Sequence, residues 1–396
     1  ATVDLNNNAL VICGTNGDDD INVTSTAANQ VIVSVNSGPA ITYTNVTNLT
    51  IDAKAGDDNI DVDMNGNTIA GTFTINGGDP DTTGDTLTID GLAAVWAPGS
   101  FNGGTLTVDG QAITVTTVEK LTFDGEGATA TAQVNGVGRF VHTPGSAIDA
   151  GQLQVNSLLA LNYVNIGAAG TVTANGTAGV STLVALGTNA SDVIGVSFTG
   201  ANAIDVDVTS SLGTHVDLLS VAVESYEING LAGDDDINLS GITQASGTFA
   251  VFGGGPGAGS DSLNLTSVTA DGALNVVIRP DAGGQSDDQD VTGFGTDVNV
   301  TGIELITLIG ADTNDTLTVE LGSGDNTARV ERGTDADLVT SDSLPNIEFG
   351  GLNAFGVTGG AGSDVVTFAT WFLAGATASN YTFNGAGTDT LVIEGV

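Results

Sequence analysis

Runs of aspartate inside glycine-rich segments are the part of this sequence with the strongest potential for chemistry. Three carboxylates follow one another at positions 18–20, and three more at positions 234–236. Adjacent like charges cost energy unless water or a cation screens them. Calcium accepts several carboxylate and carbonyl oxygens at once, and flexible glycine-rich loops suit its tolerant geometry. Aspartate also favours β-turns, because its short side chain accepts hydrogen bonds from nearby backbone N–H groups. Calcium sites and plain turns therefore both remain open.

The acidic loops recur along the chain in three segments that share one layout. In the first segment, Asp18, Asp57 and Asp85 are 39 and 28 residues apart, and the two later segments have comparable steps. A glycine precedes each acidic pair and a branched apolar residue follows it, as in Gly56-Asp-Asp-Asn-Ile60. The repetition makes the loops candidate calcium sites. The candidate ligands are Asp18, Asp19, Asp20, Asp57, Asp58, Asp85, Asp234, Asp235, Asp236, Asp261, Asp364 and Asp389.

The segments between these loops must position the carboxylates, and they have the pattern of β-strands. Apolar residues alternate with threonine or aspartate in runs such as Val31–Val35, Thr86–Ile89 and Thr105–Val108. A period of two, with valine, isoleucine and threonine dominant and glycine, asparagine and aspartate as punctuation, indicates half-buried strands. Glycine at each corner permits the positive φ of a sharp turn. The sequence therefore predicts an all-β fold of strand, acidic turn and strand.

The repeats divide the chain into four predicted modules. Residues 1–91 form a first β module with Gly-Asp loops, and residues 92–186 form a divergent β module without acidic loops. Residues 187–309 form the second repeat module, and residues 310–396 form the third, which ends in an edge strand. No long Pro/Ser linker separates them, so we expect one elongated stack resembling a β-solenoid or β-helix. A row of tandem β-sandwich modules is the alternative.

Composition excludes several classes of function. The chain has 47 acidic and 6 basic residues and a net charge of −41. Six bases cannot neutralise a nucleic-acid backbone, and an anionic membrane surface would repel the chain. No apolar run approaches the ~18 residues of a membrane span. We therefore expect neither a nucleic-acid partner nor membrane insertion.

The sequence does not favour an enzyme. The two histidines, His142 and His215, lie far apart without evident catalytic partners, and aromatic residues make up only 5 %. Lyases that act on acidic sugars need clustered Lys or Arg, and the six bases are scattered. Glycoside hydrolases usually add aromatic platforms to a pair of carboxylates, and aspartate is too common here for its presence to indicate such a pair. We therefore predict a protein without catalytic activity.

The acidic loops resemble the glycine- and aspartate-rich repeats of secreted hemolysin-type (RTX) calcium-binding proteins. The similarity is best at Gly14–Ile21, Gly56–Ile60 and Gly233–Ile237, and partial at Gly362–Val366 and Gly387–Leu391. The resemblance implies calcium held between adjacent loops. That family repeats its unit in tandem, whereas single copies here lie 25 to 49 residues apart, so a wider coil would have to bring the loops together. The layout also resembles that of large repetitive surface-layer and filament-forming proteins of bacteria.

Both ends of the chain have the pattern of strands, and a stack of strands leaves an open edge at each end. Pairing of these ends between copies is heterologous and would propagate a filament or lattice. The residues assigned to this assembly are Val3, Leu5, Leu10, Ile12, Leu391 and Ile393. Because the chain begins at Ala1 and not at Met, we expect a secreted product on the cell surface.

We therefore predict a self-assembling extracellular structural protein that binds calcium and has itself as its main partner. A calcium-dependent adhesin or matrix-binding protein, with a cell-surface or matrix polysaccharide as partner, is the alternative.

Overall fold

The computed structural model describes residues 1–79, 83–240, 247–256, 260–267, 273–281, 288–311, 314–332, 336–369 and 380–394. These residues form strands and turns in two mixed sheets, so the prediction of an all-β, repeated fold is confirmed. The chain divides into two compact units, 1–183 with 212–223 and 184–211 with 224–396. The four predicted modules stay a prediction.

Short strands follow one another closely, because threonine and branched apolar residues alternate and Asn, Asp and Gly end each run. The first strands are β1 (Thr2–Asn6), β2 (Ala9–Cys13), β3 (Asp20–Ala27), β4 (Gln30–Val35), β5 (Ile41–Thr44), β6 (Asn48–Asp52), β7 (Asn59–Asp63), β8 (Phe73–Asn76), β9 (Thr86–Asp90), β10 (Ala93–Ser100), β11 (Gly103–Val108), β12 (Gln111–Thr116), β13 (Lys120–Asp124), β14 (Thr131–Gly136), β15 (Arg139–Pro144), β16 (Gly151–Val155), β17 (Leu161–Val164), β18 (Thr171–Gly176), β19 (Thr182–Leu186) and β20 (Val193–Gly200).

The remaining strands have the same character, and the shortest are two residues long. They are β21 (Ala203–Ser210), β22 (Gly213–Thr214), β23 (Asp217–Val221), β24 (Ser225–Asn229), β25 (Ala232–Gly233), β26 (Asp236–Ser240), β27 (Phe249–Phe252), β28 (Gly255–Pro256), β29 (Ser262–Thr266), β30 (Asn275–Pro280), β31 (Asp288–Thr292), β32 (Val298–Thr301), β33 (Leu305–Ile309), β34 (Thr316–Glu320), β35 (Thr327–Arg332), β36 (Asp337–Ser341), β37 (Asn346–Gly350), β38 (Ala354–Gly362), β39 (Val365–Ala369), β40 (Asn380–Gly387) and β41 (Thr390–Glu394).

In the first unit the chain coils between the two sheets. Strands β6, β7, β8 and β9 fall alternately in one sheet and the other, and β8 pairs with β6 in parallel while β9 pairs with β7 in parallel. Each such turn of the chain, called a coil below, adds one strand to each sheet. Tandem β-sandwiches would pair mainly antiparallel neighbours. The parallel pairing therefore favours the β-solenoid-like stack over that alternative.

Identical register between coils builds the core as straight columns of side chains. Ile21, Ile60, Leu87, Leu121 and Leu161 occupy matching positions on β3, β7, β9, β13 and β17 and are at most 1 % exposed. The alternate residues of these strands face outwards. Because a strand places successive side chains on opposite faces, a single period-two pattern fixes both the core columns and an outer face of Thr, Asn and Asp.

Antiparallel meanders interrupt the parallel stacking. In the first unit, β11 pairs antiparallel with both β10 and β12, and β16 pairs likewise with β15 and β17. In the second unit, β31 pairs antiparallel with both β30 and β32. Likewise, β36 pairs antiparallel with both β35 and β37. Each meander inserts one extra hairpin into the coil, which is why the acidic loops recur at unequal spacing.

The second unit repeats the parallel ladders of the first. One ladder joins β20, β26, β29, β33 and β37, and another joins β30, β34, β38 and β40. A third ladder joins β35, β39 and β41. The short strands β25 and β28 pair in parallel beside them. Corresponding turns in successive coils are thereby brought side by side.

Candidate functional site

A glycine with a positive φ precedes the acidic residues in three of the turns, at Gly56, Gly233 and Gly362. Gly56 and Gly233 have φ angles of +128° and +145°, which residues with a Cβ rarely adopt. A Cβ on Gly56 would lie 2.6 Å from the carbonyl carbon of Gly17, and a Cβ on Gly233 would lie 2.6 Å from that of Ala190. The predicted need for glycine at these corners is confirmed, and the turns of successive coils pack backbone against backbone.

The second aspartate of each turn is buried and binds the backbone of the preceding coil. In the first unit, the N–H of Asp19 donates to Oδ1 of Asp58 (2.7 Å), and the N–H of Asp58 donates to Oδ1 of Asp85 (2.8 Å). Glu119 ends the series by accepting the N–H of Asp85 at Oε2 (2.8 Å). Asp19, Asp58 and Asp85 are at most 3 % exposed. We call such a series a carboxylate ladder.

The second unit contains the same ladder. The N–H of Asp192 donates to Oδ1 of Asp235, the N–H of Asp235 donates to Oδ1 of Asp261, and the N–H of Asp261 donates to Oε2 of Glu304, each at 2.8 Å. A glutamate again ends the series. The sequence-based prediction missed Glu119 and Glu304, although the pairs Val118-Glu119 and Ile303-Glu304 share the signal of an apolar residue before the acid.

A third, shorter ladder lies near the end of the second unit. The N–H of Asn326 donates to Oδ1 of Asp364 (2.9 Å), and the N–H of Asp364 donates to Oδ1 of Asp389 (3.0 Å). Asp364 is fully buried. Its place in the repeat matches that of Asp58 and Asp235. The same hydrogen-bond pattern therefore holds these three predicted metal ligands.

The residue before each inner aspartate lies outside the ladder, and at Asp18 and Ser191 its side chain accepts a hydrogen bond from the following coil. Oδ1 of Asp18 accepts the N–H of Asp57 (3.0 Å), and Asp57 in turn accepts the N–H groups of Thr83 and Gly84. In the second unit, the N–H of Asp234 donates to the hydroxyl of Ser191 (3.0 Å). The inner carboxylates therefore accept N–H groups of the preceding coil, whereas the side chains of Asp18 and Ser191 accept N–H groups of the following coil.

The third aspartate of each run begins a strand. Asp20 and Asp236 are exposed at the first positions of β3 and β26. Oδ1 of Asp20 accepts the side-chain amides of Asn22 and Asn59, and Oδ1 of Asp236 accepts the hydroxyl of Ser262. These contacts are again polar links to the same or the next coil.

The second oxygen of most ladder carboxylates is buried, and at Asp85, Asp235, Asp261 and Asp364 it lies against a glycine. Oδ2 of Asp58, Asp85, Asp235, Asp261 and Asp364 accepts no hydrogen bond from the described residues. Burial raises the pKa of Asp58 and of Asp235 to about 6, against the effect of the hydrogen bond from the preceding turn. A Cβ on Gly230 would lie 2.3 Å from Oδ2 of Asp235, so the missing side chain is what makes room for the carboxylate.

A different acidic cluster lies on the outer face of the first unit. Asp63 and Asp90 occupy matching positions on β7 and β9, and one carboxylate oxygen from each lies within 4.8 Å of the other and of one from Glu126. Burial raises the pKa of Asp90 to about 7, and the charges of Asp61, Asp124, Asp63 and Glu126 add to the shift. Among the described residues this is the one group of three acids with such spacing.

None of the twelve predicted ligands belongs to this cluster. Each of β7, β9 and β13 ends in aspartate, at Asp63, Asp90 and Asp124, and this recurring last position is the sequence signal that could have identified it. The structure brings the inner loop aspartates into ladders, in which backbone N–H groups donate to Oδ1 of Asp58, Asp85, Asp235, Asp261, Asp364 and Asp389. Calcium binding by the loops stays a prediction.

Among the described residues, nothing covers the core columns where they end at β40 and β41. Tyr381 and Phe383 of β40 match Phe355 and Val357 of β38, which are at most 1 % exposed. Leu391 and Ile393 of β41 match the buried Val366 and Phe368 of β39, yet are 48 % and 56 % exposed. An apolar cavity of about 170 Å³ lies among these side chains. We call the four residues Tyr381, Phe383, Leu391 and Ile393 the C-face.

The first unit ends in a similar way. Val3 and Leu5 of β1 match the fully buried Ile12 and Leu10 of β2, and Leu5 is 38 % exposed. In the other sheet, Ile41 and Tyr43 of β5 match Val33 and Val31 of β4, and Ile41 is 49 % exposed. We call the four residues Val3, Leu5, Ile41 and Tyr43 the N-face.

The predicted assembly residues thus divide into two groups. Val3, Leu5, Leu391 and Ile393 lie on strands that have no described neighbour on their outer edge. Leu10 and Ile12 lie beneath β1 and are fully buried, so they are not available to a second molecule. The prediction missed the contributions of β5 and β40, because which strand ends each sheet depends on pairing between distant segments.

His142 packs inside the first unit beside a tyrosine. Nε2 of His142 lies 2.7 Å from the hydroxyl of Tyr163 inside the first unit, and burial, with a smaller effect of His215, lowers the pKa of His142 to about 3. His142 and Tyr163 are at most 2 % exposed. A buried imidazole that is neutral at ordinary pH and bonded to a phenol fits a role in packing.

Neither comparison with known proteins finds a relative of this chain. No protein-family model matches the chain, and no curated protein is similar to it. Across the described ranges, no helix reaches the length and hydropathy needed to cross a membrane.

Proposed function

We propose that this protein is a self-assembling extracellular structural protein, a filament or surface-layer subunit that adds copies through its N-face and C-face. The observation that carries the proposal is the exposure of core positions on the end strands: Leu391 and Ile393 continue buried columns but are 48 % and 56 % exposed. An apolar core face without a cover favours a partner that completes it.

The two faces have complementary chemistry. Each contributes one strand from each sheet, and each places four apolar side chains at positions that are buried one strand further in. The free edges of β1 and β41 also offer backbone N–H and C=O groups to another strand. A contact of the C-face of one copy with the N-face of the next is heterologous, so it leaves one face free for further addition.

Calcium is the second part of the proposal. The chain carries a net charge of −41, and charge of this magnitude opposes the close approach of copies. The outer loop carboxylates, such as Asp18 and Asp234, lie outside the buried ladders, so they are the loop acids best placed to share a calcium ion. Calcium would then screen the loops and strengthen assembly.

A complementation experiment tests the head-to-tail contact. One variant carries Leu391→Asp and Ile393→Asp on the C-face, and a second carries Leu5→Asp and Ile41→Asp on the N-face. We expect the unmodified protein with calcium to form filaments or sheets in negative stain. Each variant alone should remain monomeric in light scattering, whereas an equimolar mixture should form dimers, because one intact C-face meets one intact N-face.

Val180→Asp is the matched control, because Val180 is 73 % exposed and lies on neither face. Its assembly should equal that of the unmodified protein. Dimers formed by either variant alone would show a head-to-head contact instead, and a monomeric unmodified protein with and without calcium would refute self-assembly. Assemblies that persist in excess chelator would support the head-to-tail contact and refute the role proposed for calcium.

A further inference from the structure

A polar groove crosses the outer face of the first unit, beside the meander β15–β17. It consists of two adjoining depressions of about 400 and 460 Å³, which share Lys120, Gln152 and Asn162. These volumes fall in the range of small-ligand sites. We propose that this groove binds a neutral polysaccharide, with pyranose rings stacked on Phe101 and hydroxyl groups bonded to the polar row below.

The polar row is held in a fixed orientation by the sheet. Thr122, Asn162 and Gln152 are register neighbours on β13, β17 and β16, and their side chains alternate with the buried Leu121, Leu161 and Leu153. Nε2 of Gln152 donates to Oδ1 of Asn162 (2.9 Å), and Nδ2 of Asn162 donates to the carbonyl of Leu121 (2.8 Å). The row is therefore ordered before any ligand arrives, which lowers the entropy cost of binding.

The groove offers both acceptors and donors. The side-chain amide of Gln152 donates to Asn162, and that of Gln154 donates to the carbonyl of Leu158. The side-chain carbonyl oxygens of both glutamines accept no hydrogen bond from the described residues. Lys120 brings three N–H donors. A sugar hydroxyl both donates and accepts, so a site that presents both kinds of group suits a polyol better than a ligand with acceptors alone.

Phe101 supplies the apolar surface. It lies in the turn between β10 and β11 and is 73 % exposed. The N–H of Leu159 donates to the carbonyl of Ser100 (3.1 Å), and Nε1 of Trp96 donates to the carbonyl of Leu159 (2.8 Å). These bonds hold the turn against the groove wall. An exposed aromatic ring beside ordered amides can cover the C–H face of a pyranose while the amides bind its rim.

The charges favour a neutral ligand over an acidic one. Lys54, Arg279 and Arg329 each pair with a carboxylate, whereas Lys120 has no carboxylate oxygen within 4.0 Å among the described residues. Lys120 is therefore available to hydroxyl or ring oxygens. The net charge of −41 would repel a polyanion over a longer range.

Affinity electrophoresis tests the proposal. The probes are native gels that contain a mixed-linkage β-glucan, a galactomannan or polygalacturonate. We expect retardation of the unmodified protein in at least one neutral gel and none in polygalacturonate. Phe101→Ala should weaken the affinity by about tenfold, from the lost apolar contact, and Phe101→Trp should restore it. Gln152→Ala and Lys120→Ala should each weaken it.

Val180→Ala and Gln133→Ala are matched controls, since they change an equally exposed apolar residue and an outward-facing amide that do not line the groove. Both should keep the unmodified mobility, and all variants should keep the unmodified melting temperature. Unchanged mobility in both neutral gels would overturn the proposal, as would retardation that Phe101→Ala leaves intact. Retardation in polygalacturonate alone would show that the ligand is acidic and overturn the neutral assignment.

Discussion

At the scale of residues, aspartate in this protein serves the backbone. A turn that packs against another turn leaves N–H groups facing a neighbour without a strand to accept them. The inner aspartates accept these groups from one coil away, as Asp58 does for Asp19 and Asp235 does for Asp192. Among the described residues, glutamate takes this role at Glu119 and Glu304, the last members of their ladders. A short carboxylate suits the tight spacing of coils, which favours aspartate over glutamate at these positions.

The ladder gives a prediction that separates its role from that of a calcium ligand. Asp58→Ala leaves the buried N–H of Asp19 without an acceptor, which should lower the free energy of unfolding by about 2 kcal/mol. Asp58→Asn keeps a carbonyl oxygen at the same place and should cost much less. Urea denaturation of both variants, in chelator and in calcium, measures the difference.

Asp4→Ala, on the exposed strand β1, is the control and should change the stability little. If Asp58→Asn were as damaging as Asp58→Ala, and only when calcium is present, the carboxylate charge would be essential and the metal role would be favoured over the ladder.

The outer acidic cluster predicts a pH dependence. Because its neighbours and burial raise the pKa of Asp90 to about 7, the charged form is unfavourable in the folded protein. The penalty is present above the folded pKa and is relieved as pH falls through it, so stability should rise from pH 8 to pH 5. Asp90→Asn should raise the stability at pH 8 by about 1 kcal/mol. The neutral amide is not repelled by the carboxylates of the neighbouring strands.

Thermal melts of the unmodified protein and of Asp90→Asn between pH 5 and pH 8 test whether stability rises as pH falls. The gain from the substitution should shrink toward pH 5, where Asp90 is protonated in the folded state. A gain that is equal at pH 5 and pH 8 would contradict the assignment of this dependence to Asp90.

At the scale of elements, the end strands differ in how they are held. β41 pairs along one edge with β39, and Arg329 of β35 adds a bidentate contact from Nη1 and Nη2 to the carboxylate of Glu394 (2.7 and 2.8 Å). Arg329 also binds Glu331 through Nε (2.8 Å). The arginine therefore links β35 to β41, two strands away in the same ladder, and helps to hold the strand that carries Leu391 and Ile393 of the C-face.

Removal of this contact should loosen one strand and leave the unit folded. Hydrogen bonds from Arg329 lower the pKa of Glu394, so the contribution is present above the ordinary glutamate pKa and is lost as pH falls through the lowered value. We expect Arg329→Ala to speed amide exchange in Thr390–Glu394 at pH 7, with little change in the global melting temperature.

Arg279→Ala is the matched control, since Arg279 pairs with Asp290 on strands away from β41. Amide exchange in β41 should not respond to it. Equal protection of β41 in Arg329→Ala and the unmodified protein would show that strand pairing alone fixes the C-face.

At the scale of the whole molecule, charge governs the response to solution conditions. A chain with a net charge of −41 repels itself and its copies, so added NaCl should raise its melting temperature by screening. Calcium at the same ionic strength should raise it further. A bound ion at 100 times its dissociation constant adds about 2.7 kcal/mol per site.

Melting curves in CaCl₂ and in NaCl at matched ionic strength test this difference, with MgCl₂ as a divalent control. Magnesium demands a stricter geometry and gives up water reluctantly, so it should stabilise less than calcium. Identical curves for all three salts would show screening without a site and would remove calcium from the proposed function.

The sequence alone determined the fold class and the place of the acidic turns. Alternation of branched apolar residues with threonine and aspartate has one structural outcome, a strand with one buried face, and Gly56 and Gly233 mark corners because they must adopt positive φ. The repeat of these signals predicted a stack of coils. Such signals depend on neighbouring residues alone, so they can be interpreted before it is known which strands pair.

Only the tertiary structure decided what the aspartates do and where the molecule is open. Asp58 meets the N–H of a residue 39 positions earlier, and Asp90 meets Asp63 and Glu126 because β7 and β9 pair in register. Leu10 and Leu391 have similar sequence surroundings, yet β1 covers the first and nothing described covers the second. Register and strand order depend on the closure of long loops, and no local pattern of residue types encodes them.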